Sequence, residues 1–575
     1  MQSPTPTRFS AAIFRGKATL LQARRAARDV AGGVMRFPCG SVAEFPRVVA
    51  ESRSPLWSAD ASAETLLQMG KVCNLRCAVR ALNGTRLPGG GTFSFWKQIG
   101  RATRRRGYAA GRLLREGCLM PAIGGGLCQL SNALYQVALD TSLEIVERWG
   151  HSSVVPGSAA QCGRDATVAW NYIDLRFRVA EEIAIEAFLT ADELVVRLRG
   201  RGAASVGVSV APNDFVALAS LEQARPRLDA QAHSCASCAQ TRCFRHQSAA
   251  PAIAGRRAFL VDECWPEFQS FVAQTRERDD VLAVPLDGAR WHQARYSWDT
   301  GGYSQIHAAM WATLKCSWRA RRLAVAGAVQ IAGAEALARR MARALTPDVT
   351  RVVVAQSLLP FLWRDGHLGG RTIEVLVTRL PLHVLHARLD AAARLHPERT
   401  TLREFRAPAE LVEAERAALR NARVVTPHAE VAALFGERAT LLEWHLPAPR
   451  QCAPGRAIAF AGPVAARKGA HEVRGAAREL ELEVVLRGSE LEGADFWRGV
   501  TTRRPTQNWL DGALAVVQPA LVEDQPRVLL QALAAGVPVI ATRVCGLAPR
   551  PGLTLIEAGN QAALVAALRE IQART

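Results

Sequence analysis

The second half of the chain alternates short apolar runs with amphipathic stretches. Stretches such as PAELVEAERAALRNA repeat their apolar residues at helical spacing, which is typical of helices packed on one face. Parallel strands that are buried on both faces read as continuous apolar runs, so the pattern predicts a doubly wound α/β domain after Gly255. A second domain of the same kind begins with RAIAFAGPV. The predicted strands of the first domain are 257–263, 280–286, 322–329, 351–358, 372–380 and 422–427.

One strand–loop–helix–strand unit stands out at residues 517–542. An apolar strand leads into an acidic loop, and a helix then starts at Pro526, because proline at the first helical position loses only an N–H that is unpaired anyway. Gly536 is the expected helix stop, and VPVIAT follows as a strand buried on both faces. Glu523 is left in the loop at the carboxyl end of the first strand, where open α/β sheets bind their ligands.

This unit resembles the donor-sugar loop of retaining glycosyltransferases of the GT-B fold, in particular family 4. The family pattern is a glutamate, seven residues, a second glutamate, a small-residue turn and Pro-Val-Ile. Glu523 matches the first glutamate, Gln531 takes the place of the second, and AAGVPVIAT matches the remainder. The resemblance implies two doubly wound, Rossmann-like domains that close on a nucleotide-sugar.

A second pattern of the same family lies before residues 517–542 in the sequence. In the family, a Gly-Arg pair followed four residues later by Lys-Gly grips the nucleotide diphosphate. Gly462, Lys468 and Gly469 match this pattern, whereas Pro463 replaces the arginine. Arg467 is a candidate to supply the missing positive charge.

The resemblance assigns a role to each matched polar residue. A carboxylate at Glu523 suits an oxocarbenium-like transition state, and Lys468 neutralises the leaving diphosphate. The second glutamate of the family accepts hydrogen bonds from both ribose hydroxyls, but the NH2 group of Gln531 only donates. We therefore expect a metal-independent, retaining transferase acting on an envelope polysaccharide or glycolipid acceptor. The alternative is a degenerate transferase that only binds a nucleotide-sugar or glycan.

Residues 73–179 have a different character. In order, they contain PGG with FSF, then GY, GGGLCQLS, RWGH and RDATVAWNYID. This ordered set resembles the VanW family, named for an accessory gene of vancomycin resistance, across nearly the whole family core. The resemblance implies an α+β domain before the glycosyltransferase part, but it does not settle what that domain does.

The VanW-like segment offers a nucleophile and a base. A helix that opens at Cys128 would lower the pKa of its thiol, and His151 would serve as the base of a cysteine nucleophile. The alternative is structural: a tight turn, a small buried thiol and a hydrogen-bonding histidine. Asp165 and Asp174 either cap turns or contact substrate. The candidate ligand contacts are a glycine run and a glutamine: Gly124, Gly125, Gly126 and Gln129.

A cysteine-rich segment follows the VanW-like region. Its spacing is C-x2-C-x4-C-x2-H, and paired thiolates on one turn suit tetrahedral zinc better than an iron–sulfur cluster. A thiol-rich loop without metal is the alternative, and His233 is a second candidate for the fourth ligand. The predicted ligands are Cys235, Cys238, Cys243 and His246.

The charge of the chain is strongly positive, at +20, and comes almost wholly from arginine. Such a surface is either simply solvated or attracted to anionic lipids and nucleotides. No aromatic-rich RNA motif or helix-turn-helix is evident, so no nucleic-acid partner is expected. The first 50 residues predict a basic amphipathic helix, which either lies on an anionic membrane or packs on its own domain.

The sequence predicts a division into five segments and a cytoplasmic protein, with peripheral contact at the inner membrane as a further expectation. It contains no apolar run long enough for a transmembrane helix and no secretory signal. Thirteen cysteines without an export signal indicate reduced thiols. The predicted segments are a basic helical segment at 1–50, a VanW-like domain at 51–200, a cysteine-rich linker at 201–252, an acceptor domain at 253–447 and a donor domain at 448–575.

Overall fold

The structure is a computed structural model of the whole chain. The ranges that it describes are 8–57, 65–115, 118–151, 153–154, 161, 163–202, 227–228, 233–234, 243, 255–288, 290–322, 326–403, 406–493, 495–505 and 508–574. The chain forms two compact units. The first comprises residues 1–256 with 345–351 and 365–372, and the second comprises 257–344, 352–364 and 373–575.

The first part of the chain is a mixture of short strands and helices. Its elements are α1 (Arg8–Ala31), β1 (Arg47–Pro55), α2 (Thr65–Leu82), β2 (Thr85–Leu87), β3 (Thr92–Ser94), α3 (Phe95–Ile99), β4 (Ala110–Arg115), β5 (Cys118–Ile123), α4 (Cys128–Asp140), β6 (Glu144–Glu147), β7 (Ser153–Val154), β8 (Arg176–Arg178), β9 (Ile183–Leu189), β10 (Glu193–Gly200), β11 (Arg227–Leu228) and β12 (His233–Ser234).

These strands form small sheets that pack on α2 and α4. The largest sheet has the order β1-β10-β9-β2, with every described pair antiparallel and β1 at one edge. Its β9–β10 hairpin turns at Thr190, whose hydroxyl accepts from the N–H of Glu193 at 2.9 Å. A stacked ring pair, Phe93 and Phe177 at 4.8 Å, lies in the core of this unit. The α+β class that the sequence predicts for this region is confirmed.

The N-terminal helix α1 is attached to its own unit by polar contacts. Asp29 pairs with Arg176 at 2.7 Å, and both side chains are buried. The Gln22 amide donates to the carbonyl of Trp170 at 2.6 Å. These contacts attach α1 to its unit, while the large residues of its predicted apolar stripe are exposed: Ile13, Phe14, Leu20 and Leu21. Both alternatives for this stripe, packing on its own domain and contact with a membrane, stay open. Within the described ranges, no helix is both long and apolar enough to cross a membrane.

The rest of the chain alternates strands and helices. Its elements are β13 (Arg256–Leu260), α5 (Pro266–Thr275), β14 (Val281–Val284), β15 (Gln305–Ala308), α6 (Met310–Arg322), α7 (Ala326–Met341), β16 (Val349–Ala355), α8 (Leu359–Arg364), β17 (Thr372–Leu376), α9 (Leu382–Leu395), α10 (Ala409–Leu419), β18 (Arg423–Thr426), α11 (Ala429–Phe435), β19 (Ala439–Leu441), β20 (Pro454–Phe460), α12 (Ala470–Glu479), β21 (Val484–Leu486), β22 (Thr502–Arg503), β23 (Ala513–Gln518), α13 (Arg527–Ala534), β24 (Val539–Thr542), β25 (Leu553–Ile556) and α14 (Gln561–Arg574).

Two sheets organise this region. The first has the order β15-β14-β13-β16-β17-β18-β19, and the second has the order β22-β21-β20-β23-β24-β25. The strand pairs of the second sheet are all parallel. Strands β23 and β24 are buried along their full length, as continuous apolar runs predict. The predicted fold class, two doubly wound Rossmann-like domains, is therefore confirmed.

One predicted strand of the first sheet is wrong. The run 322–329 was expected to be extended, but α6 ends at Arg322 and α7 begins at Ala326. The run is rich in alanine, the strongest helix former, and short apolar runs do not separate strand from helix by periodicity. The other five predicted strands of this sheet are present as β13, β14, β16, β17 and β18.

Candidate functional site

Two loops at the carboxyl ends of neighbouring strands form the candidate site. Strand β20 ends at Phe460 and is followed by the glycine–lysine loop 461–469, while β23 ends at Gln518 and is followed by the loop 519–526. The two strands pair in parallel, so their carboxyl ends meet at one edge of the sheet. The sequence prediction that Glu523 follows a strand at this edge agrees with the structure.

The structure brings Lys468 and Glu523 together. The Lys468 ammonium lies 3.0 Å from Oε2 of Glu523 and donates to the carbonyl of Val522 at 3.1 Å. The backbone N–H groups of Asp524 and Gln525 donate to Oε1 at 2.9 and 3.0 Å. Both carboxylate oxygens therefore accept hydrogen bonds.

The strand end itself contributes to this network. The side-chain amide of Gln518, the last residue of β23, donates to Oε2 of Glu523. Glu523 is only 8% exposed, so its charge is compensated by these donors and by Lys468 rather than by bulk water. The same charge, together with burial, raises the pKa of the neighbouring Cys545 thiol to about 12.

The two glycines of the lysine loop allow the loops to approach each other closely. Gly469 has a φ of +82°, and a Cβ there would lie 2.3 Å from the carbonyl oxygen of Pro519. A Cβ on Gly462 would lie 3.4 Å from the Cβ of Lys468, within ordinary contact. Only glycine fits at position 469, whereas a Cβ at position 462 would make an ordinary van der Waals contact. The close approach of the two loops therefore depends on Gly469.

Gln531 and Pro463 are the positions where this chain departs from the family pattern. Gln531 lies on the exposed side of α13. Pro463 lies directly against Gly488, where a Cβ would be 2.5 Å from the Cα of the proline. The arginine expected by the family is thus absent, and proline fills the space beside the next strand end.

His428 is a site residue that sequence reasoning missed. It is fully buried, and its Nε2 lies 3.1 Å from the carbonyl oxygen of Glu523. Its Nδ1 accepts from the N–H of Val431, so the proton is on Nε2 and is donated to that carbonyl. Burial lowers the pKa of His428 and keeps the ring neutral. Its position after a strand and before α11 is the sequence feature from which it could have been predicted.

A second missed contact involves the first residue of α13. Arg527 forms a bidentate pair with Glu267 of α5, at 2.7 and 2.6 Å, and the Glu267 side chain has no exposed surface. The guanidinium also lies 5.2 Å from the ring centre of Trp265 and 5.1 Å from that of Trp444. The pair joins residues from the two Rossmann-like domains beside the glutamate loop.

A third set of contacts reaches the lysine loop from the first Rossmann-like domain. The backbone N–H of Ala466 donates to the Thr401 hydroxyl at 2.9 Å, and Arg399 pairs with Glu472 at 2.7 Å. Arg388 donates to the carbonyl of Leu521 at 3.4 Å. Residues of the first Rossmann-like domain thus contact both loops of the second.

In the first unit, the structure brings His151 and Asp165 together. The imidazole Nδ1 lies 2.6 Å from Oδ2 of Asp165, and the backbone N–H of His151 donates to the same oxygen at 2.7 Å. Cys128 opens α4, as predicted, and its sulfur lies 3.7 Å from the hydroxyl of Thr167. Asp174 has a structural role, since it accepts from the Ser94 hydroxyl at 2.6 Å and from neighbouring backbone N–H groups.

The glycine run before Cys128 is closely packed. A Cβ on Gly125 would lie 2.4 Å from Gly111, and one on Gly126 would lie 2.2 Å from the Lys71 side chain. Gly124 and Gly126 have positive φ values of +78° and +93°. Packing and turn geometry account for these glycines, and their predicted ligand contact stays a prediction.

The other predicted residues of this part of the chain have mixed outcomes. Gln129 donates its amide to the Ser54 hydroxyl at 2.9 Å and to the Pro55 carbonyl at 2.8 Å. Within the described ranges, no group of three or more histidine, cysteine or acidic residues could hold a metal ion. Of the predicted metal ligands only Cys243 is described, whereas the remaining three lie outside the described residues: Cys235, Cys238 and His246.

Comparison with known families agrees with this geometry. Residues 466–574 match the family described as glycosyl transferases group 1, and residues 70–199 match the family described as VanW like protein. The chain thus contains a group 1 glycosyltransferase domain at residues 466–574, in a region built from Rossmann-like sheets. More particularly, the chain combines this domain with a VanW-like domain that precedes it.

Two curated proteins share the VanW-like part. The vancomycin B-type resistance protein VanW of Enterococcus faecalis is 34% identical over 152 residues, which are 26% of this chain and 55% of that protein. The uncharacterized protein YoaR of Bacillus subtilis is 40% identical over 87 residues, which are 15% of this chain and 28% of that protein. The chain thus spans about half the length of the first relative and less of the second.

Solved glycosyltransferases match the other part. A sucrose-phosphate synthase from Thermosynechococcus elongatus aligns with 55% of this chain and 90% of its own, at 15% identity and a TM-score of 0.34. WaaG, a glycosyltransferase involved in lipopolysaccharide biosynthesis, aligns over the same shares at 15% identity and a TM-score of 0.32. The domain assignment is therefore based on the two family matches and on the sheet topology.

Proposed function

We propose that the protein is a retaining glycosyltransferase that moves a sugar from a nucleotide-sugar to an envelope polysaccharide or glycolipid. The observation that supports this most is the pairing of Lys468 with Glu523 at adjoining strand ends, since these are the residues that the family pattern assigns to the diphosphate and to the sugar. Cytoplasmic location and contact with an anionic membrane are parts of the same proposal.

The hydrogen bonds of Glu523 indicate how it would act. Both of its carboxylate oxygens are occupied by donors, so the group is held as an anion and is poorly placed to attack carbon as a nucleophile. A fixed negative charge stabilises an oxocarbenium-like transition state without any proton transfer. Glu523 therefore serves in the proposal as an electrostatic stabiliser.

Lys468 would change partners when the donor binds. In the structure its ammonium neutralises Glu523, but a diphosphate carries more negative charge and offers more acceptor atoms. As the sugar–oxygen bond breaks, negative charge builds up on the leaving phosphate. The lysine therefore stabilises the transition state more than the ground state. Lys468→Ala should therefore lower kcat/KM by about a hundredfold or more.

The test is a turnover assay with UDP- and GDP-sugars, in which release of the free nucleotide is measured. Lys315→Ala is the matched control, because Lys315 is an exposed lysine on α6 of the same unit. Equal rates for Lys468→Ala and wild type would refute the assignment. Wild-type turnover that is absent despite measurable nucleotide-sugar binding would refute transfer itself.

A degenerate transferase that only binds its ligand is the second candidate. Specific observations favour it: Pro463 provides no guanidinium for the diphosphate, and Gln531 has one acceptor oxygen where a glutamate has two, since its NH2 group only donates. Arg527, at the start of α13, is already engaged with Glu267. Titration calorimetry with UDP and GDP-sugars, in parallel with the turnover assay, separates the two functions, because only the degenerate protein binds without turnover.

A further inference from the structure

The VanW-like unit contains a nucleophile, a base and an acid that come from separate segments. Cys128 opens α4, His151 follows β6, and Asp165 lies in the loop before β8. Backbone and side-chain contacts place the thiol and the imidazole in one neighbourhood. The Cys128 sulfur lies 3.7 Å from the hydroxyl of Thr167, two residues after Asp165. The N–H of Thr167 donates to the carbonyl of Trp149, two residues before His151, at 2.7 Å. The imidazole Nδ1 is bonded to Asp165 at 2.6 Å, which leaves Nε2 as the ring nitrogen available to the thiol.

Asp165 is held rigidly. Its Oδ1 accepts from Arg148 at 2.7 Å, while its Oδ2 accepts from both the backbone N–H and the ring of His151. The carboxylate is 3% exposed, so a protonated form would lose three charged or polar partners. Burial by itself would raise the pKa of Asp165, but the His151 and Arg148 contacts lower it below its usual range. Asp165 thus fixes the orientation and the charge of His151.

The electrostatics of the other two groups favour an ion pair. Burial opposes ionisation of His151, but the bonds to Asp165 and Cys128 raise the pKa of His151 to about 9. Burial likewise opposes the thiolate, but the hydrogen bond and charge of His151 lower the pKa of Cys128. The N-terminal end of the 13-residue helix α4 adds a partial positive charge next to the sulfur. Both shifts favour a thiolate–imidazolium ion pair over the neutral thiol and imidazole.

A polar cleft of about 520 Å³ lies along α4 and begins at Gln129, the residue after Cys128. Gln129, Asn132 and Gln136 line it from the helix, and residues 51–55 line it from β1. Strand β1 lies at the edge of its sheet, and among the residues that the structure describes no further strand pairs with its outer side. An extended peptide fits such an edge, because its backbone forms strand-like hydrogen bonds while amide side chains on the opposite wall accept polar groups.

The charges in the cleft favour a polar rather than a strongly charged ligand. Arg53 is paired with Glu51 at 2.6 Å, and Arg164 donates to Gln136 at 3.2 Å and is paired with Asp140. No cation among these lining residues is left to hold a phosphate. The occupant that the cleft best suits is therefore a peptide-like chain with an amide or ester carbonyl.

We propose that this unit carries a second, cysteine-dependent site for acyl transfer or hydrolysis on an extended peptide-like substrate. The Cys128 thiolate attacks the carbonyl carbon, and the bond to the leaving amine or alcohol breaks as His151 gives that group its proton. The resulting thioester is then attacked by water or by an amine, from which His151 takes a proton. The carbon–sulfur bond breaks, and the thiolate is restored. Asp165 is the positioning residue, and this proposal is independent of the sugar transfer.

The ion pair is tested first, by alkylation of the full chain with iodoacetamide at a series of pH values, with each cysteine peptide quantified by mass spectrometry. Ordinary thiols lose reactivity as the pH falls below about 8.5, whereas Cys128 should stay reactive at lower pH because its pKa is lowered. Exposed Cys39 is the internal comparison. Asp165→Ala should shift the Cys128 profile toward higher pH, which a merely structural role would not do. Identical profiles for Cys128 and Cys39 would overturn the proposal.

The chemistry is tested with p-nitrophenyl acetate as the probe. Wild type should release a burst of p-nitrophenolate and carry an acetyl group on Cys128, whereas Cys128→Ser should carry none. His151→Ala should slow acylation by about a hundredfold or more. Folding of each variant is checked by its melting temperature, and a folded wild type without an acetylated Cys128 would refute the nucleophile.

The cleft is tested with a second ester, acetyl-Ala-Ala p-nitrophenyl ester, because its peptide part reaches beyond the thiol. The dipeptide ester should have the higher kcat/KM, and Ser52→Trp should lower kcat/KM for the dipeptide ester more than for p-nitrophenyl acetate. Ser52 lines the cleft from β1 and has no part in the thiol–imidazole pair. A preference that is unchanged in Ser52→Trp would show that the substrate does not lie along β1.

Discussion

The Arg527–Glu267 pair offers a sharp test of how the two Rossmann-like domains are held together. Removing one partner of a buried ion pair leaves the other charge uncompensated, which costs about 3–5 kcal/mol. Glu267 is fully buried and accepts two bonds from Arg527 and one from the N–H of His445 at 2.7 Å. Arg527→Met keeps much of the side-chain volume, so its effect should come from the lost charge.

The expected loss is measurable by calorimetry. At about 2 °C per kcal/mol for a domain of this size, Arg527→Met should lower the melting temperature of the second unit by about 6–10 °C. Arg543→Met is the matched control, because the Arg543–Glu557 pair is 4.0 Å long and exposed, and such pairs contribute about 0–1 kcal/mol. The double variant Arg527→Met/Glu267→Gln should recover part of the loss, since no charge is then buried.

The pH dependence gives a second, independent check. Burial raises the pKa of Glu267, but Arg527 and the N–H of His445 lower it below its usual value. The pair thus contributes stability that is present above the unfolded-state pKa of about 4.3 and is lost as the pH falls through the folded-state pKa. Without Arg527 the pKa rises, so the deficit of Arg527→Met should be largest near neutral pH and shrink toward about pH 5. A deficit below about 1 kcal/mol at neutral pH, or one that does not change with pH, would refute this reasoning.

Two further changes probe the ligand and the metal. Gln531→Glu should tighten nucleotide-sugar binding roughly tenfold in titration calorimetry, because a carboxylate accepts from both ribose hydroxyls. Gln305→Glu, at an exposed position, is the control. An unchanged Kd for Gln531→Glu would contradict the ribose contact. Purified wild type should contain about one zinc per chain by elemental analysis if the cysteine-rich segment is a metal site, and Cys235→Ser should release it. A metal-free but folded wild type would end the zinc hypothesis.

The sequence predicts Lys468 and Glu523 as residues of one donor site through their resemblance to the family pattern, and both follow strands of one parallel sheet. Strand ends gather at one edge by topology alone, so no long-range contact has to be guessed. Glu267 could not be found in that way. Glu267 meets its partner Arg527 260 residues later, and such pairs depend on how the two domains face each other. No local pattern of apolar and polar residues records that geometry.

Asp165 shows the same limit at shorter range. Its sequence context allowed either a turn cap or a substrate contact, and the structure gives it His151 and Arg148 as partners instead. The failed strand at 322–329 has a different cause. An alanine-rich apolar run satisfies both a buried strand and a buried helix, and only its packing partner decides between them.

The contacts of Glu523 also decide which variants are informative. Its Oε1 accepts from two backbone N–H groups and its Oε2 from Lys468 and Gln518, so an amide at this position would turn an NH2 group toward donors on one side or the other. Glu523→Gln would therefore disturb the loop as well as remove the charge, and a loss of activity could not be assigned to chemistry. Lys468→Ala removes a donor without creating a donor–donor contact. The lysine, rather than the glutamate, is thus the residue whose substitution distinguishes a working transferase from a binding protein.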